Sequence, residues 1–368
     1  MPHNYLRDAS LMPSDLRNDT SIYRLHSESL LNEYYIASSP GTRRLMASPE
    51  VVGFDSYRCM IPSTIAALQH LKDKGLSGDL SILTILRGGL NYPLEECCHD
   101  LGLRVVNMHF VSCERNIEDG VITGLDIRYE KLHIERDCTL MIGDIIASGD
   151  TLRRCLEQVV DRFRRRGGSI RRIIFFTIGG TKAIPLMERL TVKIRKFWPQ
   201  FVGFQCIFYE GIFSVYEDKG CTGINIPDID FYWKGGIISP DFRYHILKND
   251  DALFEKCIIY DGGARRYEIP EHYTEVREYW EALLEASGRT AYSDFLAEKI
   301  GHRPDIRFED WLTLNRYNNL DEEEMTSMFI LEREFMRTPR TLEDICRRRL
   351  RELEEALGGY VETVNKQQ

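Results

Sequence analysis

The sequence lacks the long apolar run that a membrane-spanning helix requires, although 43% of its 368 residues are hydrophobic. It also lacks an excess of positive charge, and its formal net charge of -9 argues against general nucleic-acid binding. The first residues are polar and charged, unlike a secretory signal. The composition therefore favours a cytoplasmic protein that binds neither membranes nor nucleic acid.

Paired Cys-x-x-Cys motifs are also missing, which argues against a zinc site. Ten cysteines are ordinary for a reduced cytoplasmic protein of this length. Cys97 and Cys98 are adjacent, and we expect them on a helix with at least one of them in the core. No helix-turn-helix pattern typical of a DNA-binding repressor is present.

The most informative segment of the chain is Thr139–Thr151. An apolar run ends at Asp144, a loop of small polar residues follows, and a helical pattern then begins. This order predicts a buried strand, a turn and a helix N-terminus, where free N–H groups and the helix dipole favour phosphate. Ser148 and Thr151 add hydroxyl donors, and Asp144 is placed to accept hydrogen bonds from sugar hydroxyls or to hold a metal.

The segment resembles the ribose-phosphate motif of type I phosphoribosyltransferases. In that family two adjacent acidic residues contact the ribose of phosphoribosyl pyrophosphate (PRPP), and the loop after them binds its 5-phosphate. The resemblance assigns the ribose to Asp144. It assigns the 5-phosphate to the loop residues Ala147, Ser148, Gly149, Asp150 and Thr151.

Gly143 departs from this pattern, because the family usually has its first acidic residue there. We expect the missing carboxylate to leave a space or a water beside the ribose. Gly143→Asp would then be tolerated and would restore the acidic pair. The alternative is that the space accommodates another group, such as a displaced metal or an unusual acceptor.

A second glycine turn follows an apolar strand pattern upstream, at Leu86-Arg87-Gly88-Gly89. The glycines allow close approach of a ligand to the backbone, and the forked Arg87 cation suits a diphosphate. This turn resembles the family's pyrophosphate loop, most of all in the uracil phosphoribosyltransferase branch. Its position before the ribose-phosphate motif follows the family's order.

Alternating apolar strands and helices over residues 50–245 predict an α/β domain with a mostly parallel sheet flanked by helices. Ligands of such sheets bind beyond the carboxyl ends of the strands, where both motifs fall. Residues 1–49 are interpreted as an N-terminal lead with a short helix at 27–38, and residues 251–368 as a helical extension.

Residues 112–137 are predicted to form a protruding β-hairpin. In the resembling family a flexible loop at this position closes over PRPP, which makes Arg115 and Arg128 candidates for reaching the pyrophosphate. The alternative is a solvated hairpin whose charges have no such role.

Residues 220–243 occupy the place of the hood, the subdomain that recognises the base in many type I members. Phe231, Tyr232 and Trp233 could stack on a heterocycle there, or they could cap the core instead.

The resemblance implies a transferase that moves ribose 5-phosphate from PRPP onto a nitrogenous base or related acceptor and releases pyrophosphate. Asp144 and Arg87 would be catalytic. Mg²⁺ would enter with PRPP and would be contacted by Asp144, indirectly through the sugar. PRPP and a base-like acceptor are then the expected small-molecule partners, and a homodimer is left open.

Two alternatives remain open from the residues alone. A non-catalytic PRPP- or nucleotide-binding regulator would fit the missing carboxylate at Gly143. A nucleotide phosphohydrolase or phosphorylase would use the same site with water or phosphate. The acceptor and the pathway are not indicated by the sequence.

Overall fold

The computed structural model describes residues 5–118, 121–215, 231–249, 252–255 and 262–367. Within these ranges ten strands form one sheet. The strands are β1 (Ser10–Arg17), β2 (Thr20–His26), β3 (Glu33–Ser38), β4 (Leu80–Ile85), β5 (Val105–Glu118), β6 (Val121–Lys131), β7 (Cys138–Gly143), β8 (Ile170–Gly180), β9 (Phe204–Val215) and β10 (Phe231–Ile238).

The described helices cover both faces of the sheet and build the C-terminal region. They are α1 (Pro40–Ala47), α2 (Phe54–Arg58), α3 (Ile61–Asp73), α4 (Leu94–Asp100), α5 (Asp150–Arg165), α6 (Ala183–Arg195), α7 (Pro240–Leu247), α8 (Gly262–Tyr267), α9 (Ile269–Ser287), α10 (Tyr292–Ile300), α11 (Phe308–Asn315), α12 (Glu322–Arg337) and α13 (Leu342–Gln367). None of them combines the length and the apolar character that crossing a membrane requires.

The strands follow the order β1-β2-β3-β9-β8-β7-β4-β5-β6, and β10 also pairs with β9. The six central strands from β3 to β5 run parallel, whereas β1, β2, β6 and β10 pair antiparallel with their neighbours. The mostly parallel sheet predicted from the sequence is confirmed. Because the central strands are parallel, the loops after their carboxyl ends meet at one edge.

Consecutive residues of β3 show how the two faces of the sheet are covered. The hydroxyl of Tyr34 donates to Glu188 of α6 at 2.9 Å, while Tyr35 lies edge-on to His70 of α3. Since successive side chains of a strand point to opposite faces, α3 and α6 lie on opposite sides of the sheet. Both tyrosines are buried.

The short helix predicted at 27–38 is wrong. Glu33–Ser38 is β3, which pairs in parallel with β9, and Thr20–His26 precedes it as β2. Tyrosine and isoleucine favour a strand that packs on both faces, and pairing with β9 outweighs the local helical spacing of the apolar residues. The sheet therefore already begins in the segment interpreted as a lead, and the domain division stays a prediction.

The predicted hairpin is confirmed, because β5 continues to Glu118 and pairs antiparallel with β6. Helix α5 holds its second strand. Arg154 donates to the carbonyl of Leu125 at 3.2 Å, and Gln158 donates to Glu130 at 2.7 Å. Closure of the hairpin over a ligand stays a prediction.

The C-terminal helices share an aromatic core. Its members are all buried: Trp280, Phe295, Trp311, Phe329 and Phe335. Two of these helices have N-terminal caps, since Asp321 accepts from the N–H of Glu324 and Thr341 from that of Asp344. These aromatic side chains belong to the same contiguous core as the sheet.

A buried ion pair joins the sheet to these helices. Arg243 of α7 donates to Glu332 of α12, to Asn315 at 2.5 Å and to Tyr317 at 3.2 Å. Glu332 also accepts from Trp311 at 2.7 Å. Burial acts to raise the pKa of Glu332, but the charge of Arg243 and the hydrogen bonds from His302 and Trp311 together outweigh it and lower that pKa to about 2.

Arg243→Ala should destabilise the protein by about 3–5 kcal/mol, because it leaves the Glu332 carboxylate buried without its counter-charge. Urea unfolding of the full chain measures this loss. Arg307→Ala removes an exposed guanidinium that pairs only with Asp310 among described residues, and it should leave the unfolding midpoint unchanged. Equal effects of the two substitutions would contradict the central role of the buried pair.

Candidate functional site

The two phosphate-binding loops predicted from the sequence lie side by side. β4 and β7 are adjacent parallel strands, with Leu83 paired to Ile142, so the turn after β4 and the loop after β7 leave the same edge. A Cβ atom built on Gly88 would overlap the Asp144 carboxylate oxygen Oδ1. Gly88 therefore lets the two loops come into contact, as a site binding one ligand requires.

The loop from Ala147 to Thr151 ends at the N-terminus of α5. Gly149 is the N-cap residue, with φ of +82°, and no described side chain caps this end. Ser148, Gly149 and Thr151 are partly exposed, and Asp150 is exposed. Ile146 anchors the loop by bridging to Gly179 at the end of β8. The exposed N–H groups and the helix dipole together suit an anion such as a phosphate.

The carboxylate of Asp144 is the acidic group at this edge. It is half-buried and accepts a hydrogen bond from the N–H of Ile145 at 2.9 Å. Burial raises the pKa of Asp144 to about 7, and the hydrogen bond from Ile145 opposes that rise. The group is therefore poised between its neutral and ionised forms near neutral pH.

Arg87 is exposed in the turn that follows β4, and no described side chain pairs with it. The peptide bond between Leu86 and Arg87 is cis. Gly88 and Gly89 open a single turn of 3₁₀ helix, Gly88–Asn91. The guanidinium and the partly exposed glycine backbone are thus available to an anion beside Asp144.

The C-terminal region contacts the turn after β4, and the sequence did not predict this contact. Arg266 of α8 donates to the carbonyl of Leu90 at 2.6 Å. Its guanidinium also lies over the ring of Tyr57, 4.3 Å from the ring centroid. Residues far along the chain therefore hold the end of the pyrophosphate-loop candidate in place.

The expected space at Gly143 is not present. A Cβ atom there would lie 2.5 Å from the Cβ of Tyr92 and 2.6 Å from its Cγ, both too close for any side chain. Tyr92 is buried, stacks on Tyr209, and accepts a hydrogen bond from the N–H of Ile178 at 3.2 Å. The expectation that Gly143→Asp is tolerated is therefore wrong, because an aromatic ring fills the position.

Two of the three base-recognition candidates, Tyr232 and Trp233, are buried. Tyr232 and Trp233 are 3% and 7% exposed. The Trp233 ring lies under Arg243, and the Tyr232 ring contacts the ammonium of Lys299. Packing against the C-terminal helices favours the core-capping interpretation for both. The side chain of Phe231 and residues 216–230, which include the first part of the predicted hood, lie outside the described residues.

Of the two hairpin arginines, Arg128 pairs within the hairpin. Arg128 donates to Glu114 across the hairpin at 2.6 Å. The backbone of Arg115 lies in β5, but its side chain is outside the described residues. Their contact with pyrophosphate stays a prediction that depends on closure of the hairpin.

Among the described residues, His109, Glu135 and Cys138 bring potential metal ligands within 4.8 Å of one another. Cys138 begins β7, at the opposite end from Asp144. His109 Nδ1 accepts the N–H of His133 at 3.1 Å, so Nε2 carries the proton in the neutral ring and has no lone pair for a metal. This cluster does not fit a metal ion, and it is not the predicted Mg²⁺ site.

Gly143→Asp should destabilise the protein by about 1–3 kcal/mol, because the new side chain overlaps Tyr92. Removing the ring in Gly143→Asp/Tyr92→Ala should make the loss smaller than the sum of the two single losses. Gly358→Asp is the control, since no atom lies within 4 Å of a Cβ there. Thermal and urea unfolding of all four variants measure the coupling, and strict additivity would contradict the overlap.

Neither the known protein families nor the curated proteins contain a match to this chain. Solved structures that resemble it include a hypoxanthine phosphoribosyltransferase from Staphylococcus aureus, with 13% identity, a TM-score of 0.27, and coverage of 41% of this chain and 73% of that one. Another is a Trypanosoma cruzi hypoxanthine phosphoribosyl transferase, with 15% identity, a TM-score of 0.26, and coverage of 34% and 66%.

A third is a purine phosphoribosyltransferase from Pyrococcus horikoshii Ot3, with 20% identity, a TM-score of 0.23, and coverage of 34% and 74%. The chain spans 64% of an asparagine mutant from a study of an invariant aspartic acid in HPRTs. Scores this low carry no argument about activity or substrate, which rest on the residues of the chain itself.

Proposed function

We propose that the protein is a PRPP-dependent phosphoribosyltransferase, which moves ribose 5-phosphate onto a nitrogenous base or related acceptor and releases pyrophosphate. The observation that supports this most is the contact between Gly88 and Asp144. It joins a candidate diphosphate loop to a candidate ribose-phosphate loop, as a site for one small phosphorylated sugar requires.

Different residues would bind the 5-phosphate, the ribose and the pyrophosphate of PRPP. The N–H groups at the start of α5, with the hydroxyls of Ser148 and Thr151, would hold the 5-phosphate. Asp144, in its ionised form, would accept hydrogen bonds from the ribose hydroxyls. Arg87 and the backbone of the glycine turn would hold the pyrophosphate and stabilise its charge as it leaves.

Mg²⁺ fits this arrangement through oxygen ligands, since Asp144 offers a carboxylate and PRPP would offer phosphate and hydroxyl oxygens. Bound there, the ion would neutralise charge on the departing pyrophosphate. The protein's own contribution is positioning and electrostatics: it fixes the sugar between two loops that the sheet already holds together.

A second function is favoured by one observation. Tyr92 fills the space beside Gly143, where the resembling family usually has its first carboxylate, so Asp144 lacks the other member of that adjacent acidic pair. A non-catalytic PRPP- or nucleotide-binding regulator would need the phosphate contacts without the full ribose contacts. Incubation with PRPP, Mg²⁺ and a panel of bases separates the two, because pyrophosphate release requires an enzyme and tight PRPP binding without release favours the regulator.

Asp144→Asn should lower turnover of PRPP by an amount that corresponds to about 1.5–3 kcal/mol, because it removes one charged hydrogen-bond acceptor at the sugar. Pyrophosphate release measures the change. Asp161→Asn is the control, since that carboxylate lies on α5 and pairs with Arg164 and Arg165 away from the loop. Turnover of Asp144→Asn within a factor of two of wild type would exclude the ribose role.

PRPP binding should weaken as the pH falls below about 7, where the raised pKa of Asp144 leaves its carboxyl neutral. Binding to the ionised form must then expel a proton, which costs up to about a factor of ten in affinity per pH unit. Titration calorimetry measures the affinity for PRPP between about pH 5.5 and 8.5. These limits lie about 1.5 pH units on either side of the pKa of Asp144. In Asp144→Asn the affinity for PRPP should lose this pH dependence and should vary only with the titration of the ligand's own phosphates. If the affinity of wild type and Asp144→Asn varied with pH in the same way, Asp144 would not be the titrating group.

A further inference from the structure

A second group of chemically reactive side chains lies at the far edge of the sheet, on β1 and α3. The Oγ of Ser14 lies 3.3 Å from Nε2 of His70, and Nδ1 of the same ring lies 2.9 Å from a carboxylate oxygen of Asp15. This chain of two hydrogen bonds does not involve the loops beside Asp144.

The hydrogen bonds fix the proton positions in this group. A carboxylate can only accept, so Nδ1 of His70 carries the proton and donates it to Asp15. Nε2 is then the acceptor, and the hydroxyl of Ser14 donates to it. This is the arrangement that lets a histidine take the proton of a serine nucleophile while a carboxylate fixes the ring.

A β-bulge explains how two adjacent residues reach the same ring. Pro13 pairs with Tyr23 and Asp15 pairs with Ile22, so Ser14 is an extra residue in β1. Neighbouring side chains of a regular strand point to opposite faces, whereas a bulge re-aims one of them. The bulge therefore lets Ser14 reach Nε2 of His70 while the neighbouring Asp15 reaches Nδ1 of the same ring.

The surroundings hold the histidine and the carboxylate firmly. His70 is 4% exposed and lies edge-on to Tyr35, with 5.4 Å between the ring centroids. Asp15 also accepts from Arg17 at 2.5 Å and from the N–H of Leu16 at 2.9 Å. Burial acts to raise the pKa of Asp15, but the hydrogen bonds from His70 and Arg17 outweigh it and lower that pKa.

We propose that Ser14, His70 and Asp15 form a second active site that hydrolyses carboxylic esters with an apolar acyl group. Ser14 and His70 are the catalytic residues, and Asp15 is a positioning residue. The exposed side chain of Met12 lies on the same face of β1 as Asp15, because their partners Arg24 and Ile22 are two residues apart in β2, and it offers an apolar surface to the acyl group. The nearby carboxylates of Asp15 and Asp73 disfavour an anionic acyl group.

The reaction balances with water as the co-reactant. Ser14 Oγ bonds to the carbonyl carbon while its proton passes to Nε2 of His70, and the ester C–O bond then breaks as the leaving alcohol takes that proton. Water attacks the acyl-serine in the same way and releases the acid.

Treatment of the full chain with a fluorophosphonate tests the nucleophile, because attack by an activated serine displaces fluoride and leaves a covalent adduct. Intact mass and peptide mapping should find the adduct on Ser14, and Ser14→Ala should remove it. His70→Gln should slow labelling by about 10²–10⁴-fold, the usual contribution of a general base.

Ser21→Ala is the matched control. Ser21 lies on β2 and donates to a carboxylate of Asp241 at 3.1 Å, without a histidine, so its removal should leave labelling unchanged. Circular dichroism and thermal melting of each variant establish that it is folded. A folded wild-type protein without an adduct on Ser14 would overturn the proposal, as would equal labelling of His70→Gln.

Hydrolysis of p-nitrophenyl butyrate tests the role of Asp15. Asp15→Asn should lower kcat and leave KM unchanged, because the ring loses its orienting acceptor while the acyl-binding surface is intact. Asp15→Glu should recover part of kcat. A change in KM alone, or no change in either constant, would overturn the positioning role.

Discussion

The parallel pairing of β4 with β7 is the contact on which the candidate site depends. Each strand ends in a loop suited to phosphate, and neither loop alone could bind a phosphorylated sugar at both ends. Because neighbouring parallel strands share a carboxyl edge, residues far apart in the chain become neighbours at Gly88 and Asp144. The glycine is needed at this point because a side chain would displace the carboxylate.

Packing beneath this edge limits what the site can contain. Tyr92 crosses Gly143 and reaches the N–H of Ile178, so its ring belongs to the core that supports β7, β8 and β9. Asp144 is consequently left without a carboxylate at the adjacent position 143. Its partial burial has an electrostatic consequence as well, since a carboxyl with a raised pKa couples ligand binding to proton release near neutral pH.

The C-terminal helices are part of the same folded body as the sheet. Arg243 and Glu332 are both buried, and their hydrogen bonds reach Asn315, Tyr317 and Trp311. Such a network is sensitive to loss of either charge, because the partner left behind cannot return to water. The same packing covers Trp233, and Arg266 reaches back to the turn after β4. The helical region therefore bears on both the base-recognition candidates and the pyrophosphate-loop candidate.

The sequence by itself determined the alternation of apolar strands and helices, the hairpin and the two small-residue loops at the ends of β4 and β7, because these depend on local periodicity and turn chemistry. It did not determine the strand at Glu33–Ser38, which exists because β9 pairs with it, nor the burial of Tyr232 under helices that follow it in the chain. Only the tertiary structure showed that Tyr92 occupies the side-chain position of Gly143. Local patterns carry no information about which distant side chain fills a gap, since that is decided by packing between separate elements.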